Sequence, residues 1–261
     1  MPVQLHSALA ERAAGRCSGA VAAAAPWLRP YVVGYGGYRV LGGPPVRRRL
    51  FPVTLTTLLL DADEGARLVT GARRDGAVHD GRPWRSGVSV GLTPAGVRAL
   101  LDVEAAAVAG GTFALDGRLG RLSDRLAELP DWPARVAALD AVLTTRLRGR
   151  TVERLVDRAW WRLQDPAGTP VGSLAPELGV SRRHLELEFR RRIGLTPKTV
   201  ARVARLQRAV GVLTAPTATL GDAAAVGFAD QSHLSRETRA LLGSTPGELF
   251  AFVQDALRPA H

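Results

Sequence analysis

The stretch Val171–Leu195, VGSLAPELGVSRRHLELEFRRRIGL, reads as a short helix, a tight turn at Gly179 and a second helix. A later stretch, Thr219–Gly243, TLGDAAAVGFADQSHLSRETRALLG, repeats the pattern with its turn at Gly227. In the first, Leu174, Leu178 and Val180 are spaced to face inward from the leading helix and turn. Leu185 and Phe189 fall four apart, one above the other on the same face of the second helix. Ser181 stands at the N-cap position, and Arg183, Glu186, Leu187 and Arg190 are left on the outward side. In the second stretch Val226, Phe228, Leu234 and Leu241 supply the apolar line and Asp230 the N-cap. Gln231, Ser232, His233, Arg236 and Arg239 remain for solvent or a partner.

Around these stretches the chain is almost wholly helical from Thr151 onward. Val152, Leu155, Val156, Ala159, Trp160 and Leu163 form one stripe, so the Trp160-Trp161 pair reads as packing rather than a ligand cage. Pro197 opens a linker helix running to Leu213, about 25 Å long at helical rise. Val203, Leu206, Val210 and Leu213 are its buried line, while Lys198, Arg202 and Arg205 recur at spacings of four and three on another face. Two helix-turn-helix units on one linker suit double-stranded DNA, each second helix entering a major groove. Arginine can take guanine O6 and N7 together, glutamate can accept from a cytosine amine, and leucine can touch a thymine methyl. Arg183, Glu186 and Leu187 are placed to meet base edges, and Gln231 and His233 base edges or backbone. Arg182, Arg190, Lys198, Arg202, Arg205 and Arg239 are the expected backbone contacts.

The residues also carry a family resemblance. Gly227-Phe228-Ala229-Asp230-Gln231-Ser232-His233-Leu234-Ser235-Arg236, with Gly243-Ser244-Thr245-Pro246, resembles the closing signature of the AraC/XylS transcription regulators. Ser181-Arg182-Arg183-His184-Leu185, with Phe189, Gly194 and Thr196-Pro197, is similar to that family's first recognition helix. The resemblance spans about Thr151 to Val253 and implies two subdomains entering successive major grooves, so that one protomer reads an asymmetric site. It also implies Arg183, Glu186, Leu187, Gln231, Ser232, His233 and Arg236 as the base readers. RNA polymerase is then a candidate further partner. The chain departs from the pattern in three places. The helix before Gly227 is short and Ala-rich, Thr238 stands where a large apolar residue is usual, and Pro176 falls inside the leading helix of the first unit. With its basic, well-anchored helix, Ser181–Arg192 is expected to carry more of the readout than Asp230–Leu242.

Ahead of this region the texture is that of short strands. Residues 1–26 read as a leader, disordered or loosely helical, and 27–149 as a sensory or dimerisation domain, followed by the DNA-binding domain at 150–256. Strands are expected near Tyr31–Leu41, Val53–Leu60, Ala66–Ala72 and Val88–Leu92, with turns at 42–45, 63–65 and 79–81. A short helix should follow the Thr93-Pro94 cap. Leu119, Leu122, Leu126 and Leu129, then Val136, Leu139, Leu143 and Leu147, describe a helical hairpin that either covers the sheet or pairs two protomers. Gly149 and an N-cap at Thr151 mark the boundary between the two domains, each expected to have its own core. The whole is α+β: a small β-barrel or antiparallel sheet with a helical hairpin, then an all-α domain. Tyr35-Gly36-Gly37-Tyr38-Arg39 and Gly91-Leu92-Thr93-Pro94 look like an actinobacterial type of such regulators.

Composition is compatible with this reading without proving it. The 261 residues have net charge +11, from 35 basic and 24 acidic residues, which favours a polyanion as partner. Yet residues 1–150 hold 20 basic and 13 acidic residues against 15 and 11 in 151–261, so bulk charge does not single out the helical half. Cys17 is the only cysteine, which excludes a disulfide framework and a cysteine-rich metal centre and favours the cytoplasm. It also argues against the cysteine-based repair chemistry that some relatives join to this DNA-binding arrangement. Glu11, Arg12 and Arg16 interrupt the Ala-rich start, and no apolar run is long enough for a membrane span. The five histidines show no metal-ligand spacing, His79-Asp80-Gly81 reads as a polar turn, and the Gly34–Gly37 pattern opens no helix. No enzyme chemistry, metal or cofactor is expected. The competing reading is a small-molecule sensor whose DNA binding is weak or secondary, with Trp27, Tyr31, Tyr35, Tyr38 and Trp84 lining an effector pocket. A homodimer formed through residues before 150 fits either reading.

Overall fold

A computed structural model describes residues 4, 6–9, 16–41, 48–62, 66–79, 86–115, 119, 121–152 and 154–256. Strands β1 (Ser7–Leu9), β4 (Arg48–Leu50) and β7 (Ala77–His79) form a three-stranded sheet. A six-stranded sheet holds β2 (Arg16–Ala22), β3 (Val32–Leu41), β5 (Thr56–Asp61), β6 (Arg67–Thr70), β8 (Ser86–Leu92) and β9 (Thr112–Ala114). Its order is β2-β3-β8-β5-β6-β9 and every pairing is antiparallel. Among the described residues the sheet does not close, and β2 and β9 form its edges.

The leader expected at 1–26 is therefore largely strand where it is described. The reason is its partner: Ala20 and Val21 lie opposite Gly37 and Gly36 of β3, whose lack of side chains lets a second strand pair closely. Strand β5 shows the two-residue period of a strand buried on both faces. Leu58 and Leu60 enter the main core, whereas Leu59 joins Leu50, Tyr38 and Leu68 on the other side. The turns expected at 42–45 and 63–65 lie outside the described residues, as do residues 80 and 81 of the third.

Helix α1 (Pro94–Leu101) starts as expected, with Thr93 Oγ1 accepting from Gly96 N at 3.0 Å. A hairpin of α2 (Leu122–Glu128) and α3 (Trp132–Leu147) follows. Leu122, Leu126, Leu139, Leu143 and Leu147 all sink into the core beneath the sheet. The leucine seam thus covers the sheet of its own chain. Asp140 on α3 fastens this layer, accepting from Tyr35 Oη at 2.7 Å and Ala25 N at 3.1 Å. Burial, and then the Asp140 carboxylate, push the Tyr35 phenol above the ordinary tyrosine range.

The C-terminal region comprises α4 (Arg154–Gln164), α5 (Val171–Glu177), α6 (Arg182–Ile193), α7 (Pro197–Leu213), α8 (Leu220–Ala225), α9 (Gln231–Leu242) and α10 (Pro246–Ala256). Since α4 begins at Arg154, its capping position is residue 153, outside the described residues, and Thr151 stands two residues ahead of it.

The N-terminal region has a core of its own, as expected, but the cores of the helical units also take in residues from the N-terminal region. Residues 53–55, expected as the start of a strand, leave the sheet and run into the helices. Val53, Leu55 and Ala72 are buried among Val156, Trp160, Leu174, Leu185 and Phe189. Phe51 is buried among Leu206, Val210, Phe228, Leu234 and Leu241. Two carbonyls on this crossing segment are satisfied from the helices, Trp160 Nε1 donating to Thr54 O at 3.1 Å and Gln207 Nε2 to Pro52 O at 2.6 Å, while Val53 keeps a bridge to Arg73. A run of five residues, Phe51 to Leu55, thus plugs both helix-turn-helix units, which explains why an apolar segment with a proline in it forms no regular strand.

Candidate nucleic-acid interface

Each unit is built by the same local rules. Ser181 Oγ accepts from His184 N at 3.1 Å and Asp230 Oδ1 from His233 N at 2.6 Å, so both second helices are capped as expected. Gly179 and Gly227 make the turns with φ of 69° and 123°, which a side chain would strain. On α6, Leu185, Phe189 and Ile193 repeat every four residues and are buried; on α9 the buried residues are Leu234, Thr238 and Leu241. The Thr238 hydroxyl donates to Leu234 O at 2.8 Å, so its polarity is met by its own helix. Gly194 ends α6 at φ 81°, and a Cβ there would lie 2.6 Å from Ala109 Cβ, so the N-terminal region abuts this helix end.

The other two departures also find local solutions. Helix α8 is short, but Thr219 and Asp222 close a capping box, and Ala223 and Ala224 pack in the core. Pro176 sits in the last turn of α5 and is exposed. Leu178 N still bonds Leu174 O at 3.1 Å and Val180 N bonds Ala175 O at 3.0 Å, so the helix ends without disruption.

Arg182, Arg183, Glu186, Leu187 and Arg190 are all exposed on α6, as are Gln231, Ser232, Arg236 and Arg239 on α9. Leu187, at 55% exposure, is a large apolar side chain held in the open between charged neighbours. Glu186 and Arg190 are paired with each other at 2.7 Å, so base contact by either exchanges this ion pair for a new partner. His233 is half-buried. Its Nδ1 accepts from Ala229 N at 3.3 Å and its ring meets Phe228 edge-on at 5.3 Å, so Nε2 carries the proton of the neutral ring.

The linker-helix cations do not share one free face. Lys198 is exposed, but Arg202 Nε bonds Glu237 on α9 at 2.8 Å, and the Arg205 guanidinium lies 5.8 Å from the centre of the Phe228 ring. Both reach toward the second unit. Arg208 continues the same spacing three residues on. Arg208 is absent from the expected backbone contacts, although the three- and four-residue spacing of the stripe leads to it.

The readout helices are also tied to the rest of the chain. Arg192 pairs with Glu188 at 2.8 Å and with Glu104 at 3.5 Å; Arg98 pairs with Glu104 at 3.7 Å and Asp157 at 3.3 Å. This network joins α6 to α4 through the turn after α1. The second recognition helix is held too, its Leu241 O accepting from Gly76 N at 2.9 Å.

The aromatic residues expected to line an effector pocket do not gather around one. Tyr31 and Tyr35 are buried in the core, Tyr38 packs against Leu50 and Leu59, and Trp27 is 63% exposed with Nε1 donating to Thr144 Oγ1 at 2.8 Å. Trp84 lies outside the described residues. A groove of about 890 Å³ lies instead between β2 and α4, lined by Val21–Ala24, Val33, Val152 and Trp161, with Arg29 and Arg158 beside them.

Two capped helix-turn-helix units on a common linker define a DNA-binding domain. Residues 174–251 match the family model described as a helix-turn-helix domain. The matched model is of the AraC type of that domain, and the match is confined to this stretch of the C-terminal region. No curated protein matches the chain in sequence. Among solved structures, ToxT from Vibrio cholerae O395 is similar at a TM-score of 0.42 and 10% identity, covering 95% of this chain and 96% of that one. Another ToxT structure from Vibrio cholerae gives a TM-score of 0.43 and 9% identity, over 91% and 98%. Among the described residues no helix is long and apolar enough to cross a membrane.

Proposed function

We propose that the chain is a sequence-specific transcription regulator that reads two successive major-groove segments of DNA, one with α6 and one with α9. One observation carries this: both helices start from a capped, exposed end with their apolar residues buried, leaving Arg183, Glu186 and Leu187, and Gln231, Ser232 and Arg236, on outward faces. His233 contributes through Nε2. Arg182, Arg190, Lys198 and Arg239 suit the phosphate backbone, as do Arg202 and Arg205 at the edge of the second unit. The test is binding against salt. A steep log-log slope and a preference for particular genomic fragments support the reading, whereas a slope near zero sinks it. Sequencing the DNA retained by the purified protein identifies the site.

A small-molecule effector is a second reading, favoured by the groove between β2 and α4. It sits where the N-terminal sheet meets the helical region, so an apolar ligand there would bear on both. The check is thermal: ligands that raise the melting temperature of the native chain should lose that effect in Ala23→Trp, which fills the groove. A shift that survives places the ligand elsewhere. Homodimerisation through residues before 150 would require a surface other than the leucine seam, since that seam is buried.

A further inference from the structure

Arg205 and Arg208 stand one turn apart on α7 and converge on the turn that precedes α9. A Cβ on Gly227 would lie 3.4 Å from Arg205 Cγ and 3.6 Å from Arg208 Nη2, so the absence of a side chain there keeps the space between them open. Arg208 Nη1 donates to Asp165 O at 3.3 Å, in the loop ahead of α5. Its Nε is buried without a hydrogen-bond partner. The Asp165 carboxylate is occupied elsewhere, lying 3.5 Å from Arg162 and accepting from Ala167 N at 2.9 Å. Among the described residues no carboxylate forms an ion pair with Arg205 or Arg208, whereas Arg162, Arg190, Arg191 and Arg202 each have one. Burial, and then the charge of Arg205, lower the pKa of Arg208 against a smaller opposing pull from the Asp165 carboxylate.

Two half-buried guanidiniums side by side are unfavourable for the free protein and favourable once an anion joins them. Their position selects the anion. Arg208 touches the loop leading into α5 of the first unit, and Arg205 stacks on the turn leading into α9 of the second. We propose that Arg205 and Arg208, with the Gly227 turn, form a seat for one backbone phosphate of the DNA lying between the two recognition helices. The seat rests on the two-groove reading above and adds to it a fixed point that sets the spacing of the two reading heads. Arginine suits this role because its planar fork can hold two phosphate oxygens at once.

The experiment measures binding of the full chain to a pool of short genomic duplexes across a salt series, together with thermal melting, for the native protein, R208M and R205Q. The expected result is that each substitution lowers the log-log salt slope by about one. Each should weaken retained and bulk fragments by the same factor, and R208M should leave the melting temperature unchanged or raise it. A slope left intact in R208M with a lowered melting temperature overturns the seat and assigns Arg208 to fastening the Asp165 loop. Inorganic phosphate is the second probe: if it raises the melting temperature of the native protein but not of R208M, and DNA slopes are unaffected, the site takes a free anion and the DNA seat is overturned. A native slope near zero overturns the two-groove reading, and the seat with it. A normal native slope that both variants preserve overturns the seat alone.

Discussion

The indole Nε1 of Trp160 donates to the carbonyl oxygen of Thr54 at 3.1 Å, with the side chain fully buried. A tryptophan of the helical region thus satisfies a backbone acceptor of the sheet region, inside a core to which both contribute. Trp160→Phe keeps most of the apolar volume but leaves Thr54 O unpaired, and should cost about 1–3 kcal/mol. Urea unfolding followed by fluorescence and by circular dichroism should show one coincident transition for the native chain, shifted to lower urea in the variant. Two separated transitions would mean that the regions fold independently.

Phe51 makes the same point from the other side. It precedes the sheet's central strand in sequence, yet is buried against Leu206, Phe228 and Leu234 of the second helix-turn-helix unit. Phe51→Ala should destabilise the protein by about 3–5 kcal/mol through lost burial and a cavity. Amide exchange should speed up in α9, nearly two hundred residues away in the chain. Unchanged protection of α9 would contradict the shared core.

This shared core also explains how far the sequence is legible. The helix-turn-helix stretches can be read because their caps, turns and apolar spacing are local: Ser181, Gly179, Leu185 and Phe189 each act within a few residues. The Thr93 cap and the leucine hairpin are legible for the same reason. Phe51, Val53 and Leu55 look like strand residues, and only the position of distant helices turns them into a plug. Strand β2 is hidden because its Ala- and Gly-rich sequence has weak propensity of its own and is stabilised by pairing with the glycines of β3. In the candidate interface the outward positions on α6 and α9 follow from periodicity. The ion pairs that occupy Arg190 and Arg202 do not, because a long side chain chooses its partner by geometry.

The two recognition helices should respond differently to substitution. Arg183→Ala removes an exposed side chain near the start of α6 and should cost about 1–3 kcal/mol of discrimination at one base position. Arg239→Ala lies in the last turn of α9 and should weaken all sequences alike, with a lower salt slope. Affinity measured on a set of single-base variants of the retained site separates these outcomes. Equal, sequence-independent losses for both would show that Arg183 contacts backbone.

Acid should loosen α6 from the N-terminal region through Glu188. Hydrogen bonds from Arg191 and Arg192, at 2.9 and 2.8 Å, hold its pKa down to about 2. A carboxylate depressed in the folded state is stabilising above its unfolded value of about 4.3, and that contribution is lost as pH falls toward about 2. Arg192 also reaches Glu104, so protonating Glu188 frees one side of the bridge between α6 and the turn after α1. Glu188→Gln should therefore lower the unfolding midpoint at neutral pH and flatten its dependence between pH about 4.3 and about 2. Because part of the pair is solvent-exposed, the shift should shrink in high salt. Parallel pH profiles for the native chain and the variant would show that Glu188 contributes nothing to this linkage.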